Sequence, residues 1–254
     1  MDARTRCLKI LDLLQQQHKV EVKSLAEMFE TSEMTIRRDL SILTQQYNII
    51  RTHGGAKLAQ DSVVRTISFD ENKIENKEQK KAIAKLAASK IGYKQKIFID
   101  SGSTTRQMTR FLSDSSKAII VTNSISIADA VLQYANLSVI MLGGEILPIA
   151  KCSFGDTAEE QVKTHQFDVA FLGTAAIGTD GNLYDGYSLE ARLKGTILKS
   201  AKKICLLADS SKFNCYDVHK FGALSEIDML ITDFNLSKEA KSILEKYKIN
   251  VFYV

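Results

Sequence analysis

Hydroxyl and guanidinium side chains cluster in residues 31–43, a stretch whose spacing predicts one helix. Thr31 or Ser32 can cap its first turn by accepting a backbone N–H bond. Three apolar residues recur at i, i+4 and i+7 and predict a buried stripe, namely Ile36, Leu40 and Leu43. The residues opposite or beside that stripe are Met34, Thr35, Arg37, Arg38 and Ser41. Outward donors of this kind suit phosphates and base edges, so the pattern predicts a DNA-recognition helix.

The alternative is a solvated amphipathic helix whose arginines pair with Asp39 or Glu27. The flanking sequence favours DNA recognition. Two helical stripes precede the helix, first Cys7, Ile10, Leu11 and Leu14, and then Val22, Leu25, Ala26 and Phe29. The break near residues 30–32 is short, and Ala26 is small enough for the close helix crossing of a helix-turn-helix. Two short predicted strands then flank the turn His53-Gly54-Gly55, which indicates a wing.

These features resemble the winged helix-turn-helix of the DeoR family of bacterial transcription regulators. The resemblance lies in the run Ser-x-x-Thr-Ile-Arg-Arg-Asp-Leu from Ser32 and in the turn His-Gly-Gly-Ala from His53. It implies a DNA-binding domain over residues 1–58, with the helix-turn-helix at about 20–39 and the wing at about 47–58. The side chains that it places at double-stranded operator DNA are Ser32, Thr35, Arg37 and Arg38 from the helix, and Arg51, His53 and Lys57 from the wing. A histidine in a turn is often simply exposed, so His53 alone is weak evidence.

The positive charge of the chain is local. The formal net charge of +4 over 254 residues does not by itself reveal a DNA-binding protein. Residues 34–58, however, hold four basic side chains against the single acid Asp39. So few contacts per subunit predict that the protein binds DNA as a dimer or tetramer.

Cysteine spacing and hydropathy exclude several other classes of protein. The four cysteines show neither metal-ligand spacing nor a disulfide pattern, so we expect reduced thiols and no metal. No apolar run approaches about 18 residues, and the first residues predict an amphipathic helix rather than a signal segment. We therefore expect a cytoplasmic protein that does not contact a membrane.

The rest of the chain predicts an α/β domain over residues 77–254, joined to the first by a polar linker at 59–76. From Lys77, helical patterns alternate with seven short apolar runs, at 97–99, 119–121, 139–142, 169–172, 204–207, 229–231 and 251–254. Near-continuous apolar runs are typical of strands buried on both faces of a parallel sheet. The fold class is therefore a winged helix-turn-helix domain followed by an α/β domain with a mostly parallel sheet.

Polar residues and glycines follow these apolar runs, at the sheet edge where ligands of open α/β sheets bind. The first group, Asp100-Ser101-Gly102-Ser103-Thr104-Thr105, joins a strand to a helix whose N-terminus could seat a phosphate. The alternative is that Asp100 and Ser103 only cap that helix. Lys212 could add a movable cation, as could Lys194, while Asp185 and Glu190 could accept sugar hydroxyls.

These segments resemble the effector domain of the DeoR family, which is similar in fold to ribose-5-phosphate isomerase and the coenzyme A transferases. The motifs Asp-x-Gly-Ser-Thr, Thr-Asn, Gly-Gly and Asp-Ser-Ser-Lys occur in the family's order. The resemblance implies a domain that senses a phosphorylated sugar or a related intermediate. The residues that it assigns to the effector are Asp100, Gly102, Ser103, Thr104, Thr122, Asn123, Gly143, Gly144 and Lys212.

The sequence therefore predicts a transcriptional repressor of a sugar-catabolism operon, with no catalytic residue and no cofactor. One alternative is a sugar-phosphate isomerase with an appended DNA-binding domain, because strand-end carboxylates and a lysine could shuttle a proton next to a carbonyl. Another is a transcriptional activator. The sequence identifies neither the effector nor the operator.

Overall fold

The computed structural model describes residues 2–17, 19–46, 49–58, 75–147 and 150–254. The chain divides into two compact units, the first containing the elements up to residue 58 and the second those from residue 75 onward. Most of the predicted linker, residues 59–74, lies outside the described residues.

The N-terminal unit combines helices with a small sheet. Its elements in chain order are α1 (Ala3–Gln17), β1 (Lys19–Glu21), α2 (Val22–Met28), α3 (Glu33–Gln46), β2 (Ile49–Thr52) and β3 (Gly55–Leu58). The sheet is antiparallel in the order β1-β3-β2, and Thr52 pairs with Gly55 across a two-residue turn. This arrangement confirms the predicted winged helix-turn-helix. Strand β1 was not predicted, because three residues are too few to show an alternating pattern.

The apolar stripes of the three helices form the core of this unit. The buried side chains include Ile10, Leu11, Leu14, Val22, Leu25, Ala26, Ile36, Leu40 and Leu43. Because each stripe follows the helical repeat, one face of every helix is turned toward this core. The opposite face of α3 is thereby left toward solvent.

The C-terminal unit is an α/β domain. Its elements are α4 (Lys77–Ser89), β4 (Lys96–Ile99), α5 (Ser103–Arg106), β5 (Ile119–Thr122), α6 (Ile125–Val131), β6 (Ser138–Met141), β7 (Glu145–Leu147), β8 (Cys152–Phe154), α7 (Asp156–Lys163), β9 (Val169–Gly173), β10 (Ala176–Ile177), β11 (Asn182–Asp185), α8 (Ser188–Ser200), β12 (Ile204–Leu207), β13 (His219–Ala223), β14 (Met229–Thr232), α9 (Lys238–Tyr247) and β15 (Asn250–Tyr253). Short 3₁₀ turns lie at 107–111, 114–116, 210–212 and 224–226.

Seven of these strands form one parallel sheet, in the order β15-β14-β12-β9-β4-β5-β6. Each of the seven predicted apolar runs is one of these strands, so the predicted parallel sheet is confirmed. Strands β9 and β12 are buried along their whole length, and Ile97, Phe98 and Ile99 of β4 are fully enclosed. The chain runs outward from β4 to β6 on one side and from β9 to β15 on the other. The strand order therefore reverses between β4 and β9, which makes this pair the topological switch point.

Two small antiparallel sheets, β10-β11-β13 and β7-β8, complete the unit. Among the described residues, no helix is long and apolar enough to cross a membrane. In the same residues, no group of three or more His, Cys, Asp or Glu side chains is arranged to hold a metal ion.

Candidate functional site

Helix α3 begins with a side-chain cap that fixes its first turn. The Ser32 hydroxyl accepts a hydrogen bond from the Thr35 backbone N–H at 3.2 Å, and the two hydroxyls lie 2.9 Å apart. The hydroxyls of Ser32 and Thr35, both predicted to contact DNA, are therefore hydrogen-bonded to each other. Such a cap satisfies one of the N–H groups left unpaired at a helix start.

A buried ion pair joins α3 to α1. The Arg6 guanidinium donates to Asp39 through Nε at 2.5 Å and through a terminal nitrogen at 3.3 Å, and both side chains are almost fully buried. The hydrogen bond to Asp39 raises the pKa of Arg6. Asp39 thus holds the helix in place by pairing with Arg6, and not with Arg37 or Arg38, which was one of the two pairings that the solvated-helix alternative named.

The two arginines of α3 differ in their surroundings. Arg37 forms an i, i+4 ion pair with Glu33 at 3.4 Å, and both side chains are about half exposed. Arg38 is exposed and forms neither a hydrogen bond nor an ion pair within the described part of the chain. Its guanidinium is therefore available to an external phosphate or base.

The wing carries the remaining predicted DNA contacts. Arg51 donates to the carbonyl of Arg37 at 2.9 Å, so its side chain ties the wing to α3. His53 is exposed at the tip of the β2–β3 turn, and Lys57 is half-buried on β3. The structure thus places two predicted wing residues on the surface and gives Arg51 an intramolecular partner.

In the C-terminal unit, Asp100 bridges the two strands of the switch point. One of its oxygens accepts the Ser101 N–H at 2.7 Å and the other accepts the Gly173 N–H at 2.9 Å. A Cβ atom added to Gly102 would lie 3.5 Å from the Asp100 carboxylate and 3.9 Å from Gly173 Cα. Gly102 and Gly173 therefore face each other here, and the absence of a side chain on either lets the two loops approach closely.

A buried lysine on α8 completes the centre of this edge. The Lys194 Nζ contacts four oxygen atoms, Asp185 Oδ2 at 2.7 Å, Gly173 O at 3.0 Å, Asp100 Oδ2 at 3.2 Å and Glu190 Oε1 at 3.2 Å. Burial alone would lower the pKa of Lys194, but the three carboxylates raise it well above its ordinary value. The ammonium is therefore fixed and protonated, and the prediction that Lys194 is a movable cation was wrong.

The three carboxylates outnumber the single ammonium in this cluster. Burial raises the pKa of Asp185 well above its ordinary range, and the neighbouring Glu190 adds to the shift. Burial likewise raises the pKa of Glu190. Asp185 and Glu190 therefore hold protons more readily than free carboxyl groups do, and the cluster disfavours any further negative charge close to it.

Strand β5 and the β7–β8 hairpin line the neighbouring part of the edge. The Asn123 side chain donates through Nδ2 to the Ser153 carbonyl at 3.2 Å, while its buried Oδ1 has no hydrogen-bond partner within the described residues. The Thr122 hydroxyl accepts the Ser124 N–H at 3.1 Å. Burial raises the pKa of the Cys152 thiol to about 12, although hydrogen bonds with two neighbouring serine hydroxyls oppose the shift.

Three of the predicted effector residues follow strands that lie two positions from β4 in the sheet. Gly143 and Gly144 follow β6 on one side, and Lys212 follows β12 on the other. Gly143 donates its N–H to Gln161 at 2.7 Å. Gly144 has a φ of 127°, and a Cβ atom added there would lie 2.5 Å from the Phe154 carbonyl oxygen. Lys212 ends the 3₁₀ turn that follows β12. At about 4.8 Å per strand, Gly143 and Lys212 are separated by roughly 19 Å across the sheet. Of the predicted effector residues, those in the loop after β4 and at the start of α5 therefore lie nearest the β4–β9 pair, namely Asp100, Gly102, Ser103 and Thr104.

Lys194 was predicted only as a second movable cation, and its burial was not predicted. A signal was present, because Lys194 lies three residues from both Ala191 and Ile197, which are buried on the same helix. Helical spacing thus places this lysine on the buried face of α8.

Two solved structures that align with this chain are a transcriptional regulator and an isomerase. The full-length sorbitol operon regulator SorC from Klebsiella pneumoniae aligns over 96% of this chain and 99% of its own, with 13% identity and a TM-score of 0.45. Ribose 5-phosphate isomerase A from Methanocaldococcus jannaschii aligns over 55% of each chain, with 18% identity and a TM-score of 0.41.

Relatives in sequence are named transcriptional regulators. The glycerol-3-phosphate regulon repressor of Escherichia coli K12 is 32% identical over 224 residues, 88% of each chain. The regulator GlpR of Haloferax volcanii is 33% identical over 243 residues, 96% of this chain and 94% of its own. The repressor GlcR of Bacillus subtilis is 29% identical over 229 residues, 90% of this chain and 87% of its own.

Two family models cover both units. The DeoR-like helix-turn-helix domain matches residues 6–62, and the DeoR C terminal sensor domain matches residues 75–234. The prediction of a DNA-binding transcriptional regulator is confirmed, and the chain belongs to the DeoR family.

Proposed function

We propose that this protein represses a sugar-catabolism operon and that a phosphorylated sugar or related metabolite controls its affinity for the operator. The observation that carries the proposal is the presence, in one chain, of an exposed donor face on α3 and a cluster of polar and charged groups beside the start of α5 at the β4–β9 switch point. The names of its relatives support the same function, since one is the repressor of a glycerol-3-phosphate regulon.

The effector site is centred on the loop after β4. The backbone N–H groups of Ser103 and Thr104 begin α5 beside Gly102, and they suit the phosphate group. The carboxylates around Lys194 disfavour a phosphate at their own end and suit hydroxyl donors. The effector therefore lies with its phosphate toward the start of α5 and its hydroxyls toward the carboxylate cluster. Thr122 and Asn123 border this position, while Gly143, Gly144 and Lys212 lie at its margins.

The DNA-binding surface consists of the exposed face of α3 and the tip of the wing. Arg38, Arg37, His53 and Lys57 supply donors there, and Ser32, Thr35 and Arg51 hold the elements in position. Because this surface is small, a dimer or tetramer binds the operator, with two recognition helices about 34 Å apart. A regulator of this kind acts in the compartment that holds the chromosome, so we place it in the cytoplasm.

Titration of the purified protein onto a fluorescent duplex from its own promoter region tests the proposal. A panel of phosphorylated sugars and polyols is added, with the unphosphorylated compounds as matched controls. At least one phosphorylated compound shifts the affinity, and its control does not. A coupling free energy of about 1–3 kcal/mol is expected. If no compound changes either the affinity for the duplex or the thermal stability of the protein, the sensor function is contradicted.

The protein acts by binding and not by catalysis. Lys194 is protonated and held by three carboxylates and a carbonyl, so it has no free electron pair with which to abstract a proton. Incubation with pentose and hexose phosphates tests this point, and isomer formation that depends on Lys212 would contradict it. A reporter fused to the promoter in a deletion strain distinguishes repression from activation by the sign of the change.

A further inference from the structure

An exposed methionine stands on the outward face of α3. Met34 lies in the first turn of the helix and is 74% exposed, the largest exposed fraction among the large hydrophobic side chains of the described residues. Methionine is flexible and apolar, so its side chain can adapt to an apolar surface that a partner brings.

The neighbouring side chains leave Met34 and Arg38 as the outward pair. Ser32 and Thr35 contact each other, and Arg37 pairs with Glu33. Residues four apart on a helix share a face, so the methionine and Arg38 point in the same direction. They are about 6 Å apart along the helix axis, which equals about two base-pair steps of DNA.

The N-terminal residues of a recognition helix contact base edges in the major groove. The only apolar group that a base presents there is the C5-methyl group of thymine, whereas arginine pairs with guanine. We propose that Met34 helps to determine the operator sequence by packing against the methyl group of a thymine, within about two base pairs of the base pair that Arg38 contacts. This proposal rests on the proposed binding of operator DNA.

The test begins with selection of tight-binding duplexes from a random pool by the full-length protein. Each thymine of the selected site is then replaced singly by deoxyuridine, which removes only the methyl group. At one position the replacement weakens binding by the wild-type protein about fourfold, the effect of losing one buried methyl group. If no replacement changes the affinity, the proposal is wrong.

The Met34→Ala variant identifies the side chain responsible. It binds the thymine and deoxyuridine duplexes equally, and the wild type still distinguishes them. Met28→Ala is the matched control, because Met28 is also exposed but lies at the end of α2. It keeps the fourfold discrimination. Discrimination that persists in Met34→Ala overturns the proposal, whereas failure of the wild type to select any duplex counts against DNA binding itself.

A second variant tests specificity directly. Glutamine forms two hydrogen bonds with adenine in the major groove, so Met34→Gln selects adenine at the position where the wild type selects thymine. Repeating the selection with this variant shows the change at one position. A consensus identical to that of the wild type would contradict the assignment.

Discussion

Replacement of Asp39 by alanine tests how the recognition helix is held. The substitution removes the partner of Arg6 and leaves a guanidinium buried between α1 and α3. Breaking a buried ion pair from one side costs about 3–5 kcal/mol, because the remaining charge has no compensation. A unit of about 60 residues has a free energy of unfolding of about 3–9 kcal/mol. The loss is therefore comparable with the whole stability of the N-terminal unit.

Hydrogen exchange of the full-length protein measures this effect in each unit separately. In Asp39→Ala, the opening free energy of the α1 and α3 amides falls by about 3–5 kcal/mol, and that of the parallel sheet does not change. Glu33→Ala is the matched control, since it removes an exposed carboxylate from the same helix. It lowers the opening free energy by less than about 1 kcal/mol.

A third variant distinguishes the cost of a buried Arg6 guanidinium without a partner from the loss of the Arg6–Asp39 attraction. In the double variant Arg6→Met/Asp39→Leu neither charge remains, so most of the lost stability returns. If Asp39→Ala loses no more stability than Glu33→Ala, the buried pair does not hold α3. If the double variant is as unstable as Asp39→Ala, the orphaned guanidinium is not the cause.

Three further predictions concern the two sites. Arg38→Ala weakens operator binding by about 1–3 kcal/mol and leaves effector affinity unchanged in parallel titrations; equal operator binding would exclude Arg38 from the interface. Lys194→Met lowers the free energy of unfolding of the C-terminal unit by about 3–5 kcal/mol, as measured by hydrogen exchange, because three buried carboxylates lose their counter-charge. The raised pKa values of Asp185 and Glu190 make the folded unit bind protons more tightly than the unfolded chain does. Their contribution to the free energy of unfolding is complete below the ordinary carboxyl pKa of about 4 and is lost as pH rises through the folded-state pKa values. The free energy of unfolding measured in urea therefore falls with increasing pH, and the fall is smaller in Glu190→Gln. A profile identical in the variant and the wild type would contradict this assignment.

The main elements of the fold were predictable because their sequence patterns follow directly from burial. A strand covered on both faces of a parallel sheet carries a continuous apolar run, as at Val169–Gly173. The helices of the N-terminal unit show one apolar stripe each, because only one face is buried. The two small antiparallel sheets were missed, since strands of two to five residues with mixed polarity give no distinct pattern.

The candidate sites were predictable only as far as chain neighbours determine them. Spacing alone places Glu190 and Lys194 one turn apart, and it places Arg37 beside Glu33. The partners that decide the behaviour of these sites come from distant parts of the chain. Asp100 reaches Lys194 because β4 and β9 are adjacent in the sheet, and Arg6 reaches α3 because α1 packs on it. Such pairings depend on strand order and helix packing, which the local pattern of a single sequence does not contain. A charged residue on a predicted buried face is therefore the useful signal, because its burial requires a partner even when the sequence does not show which one.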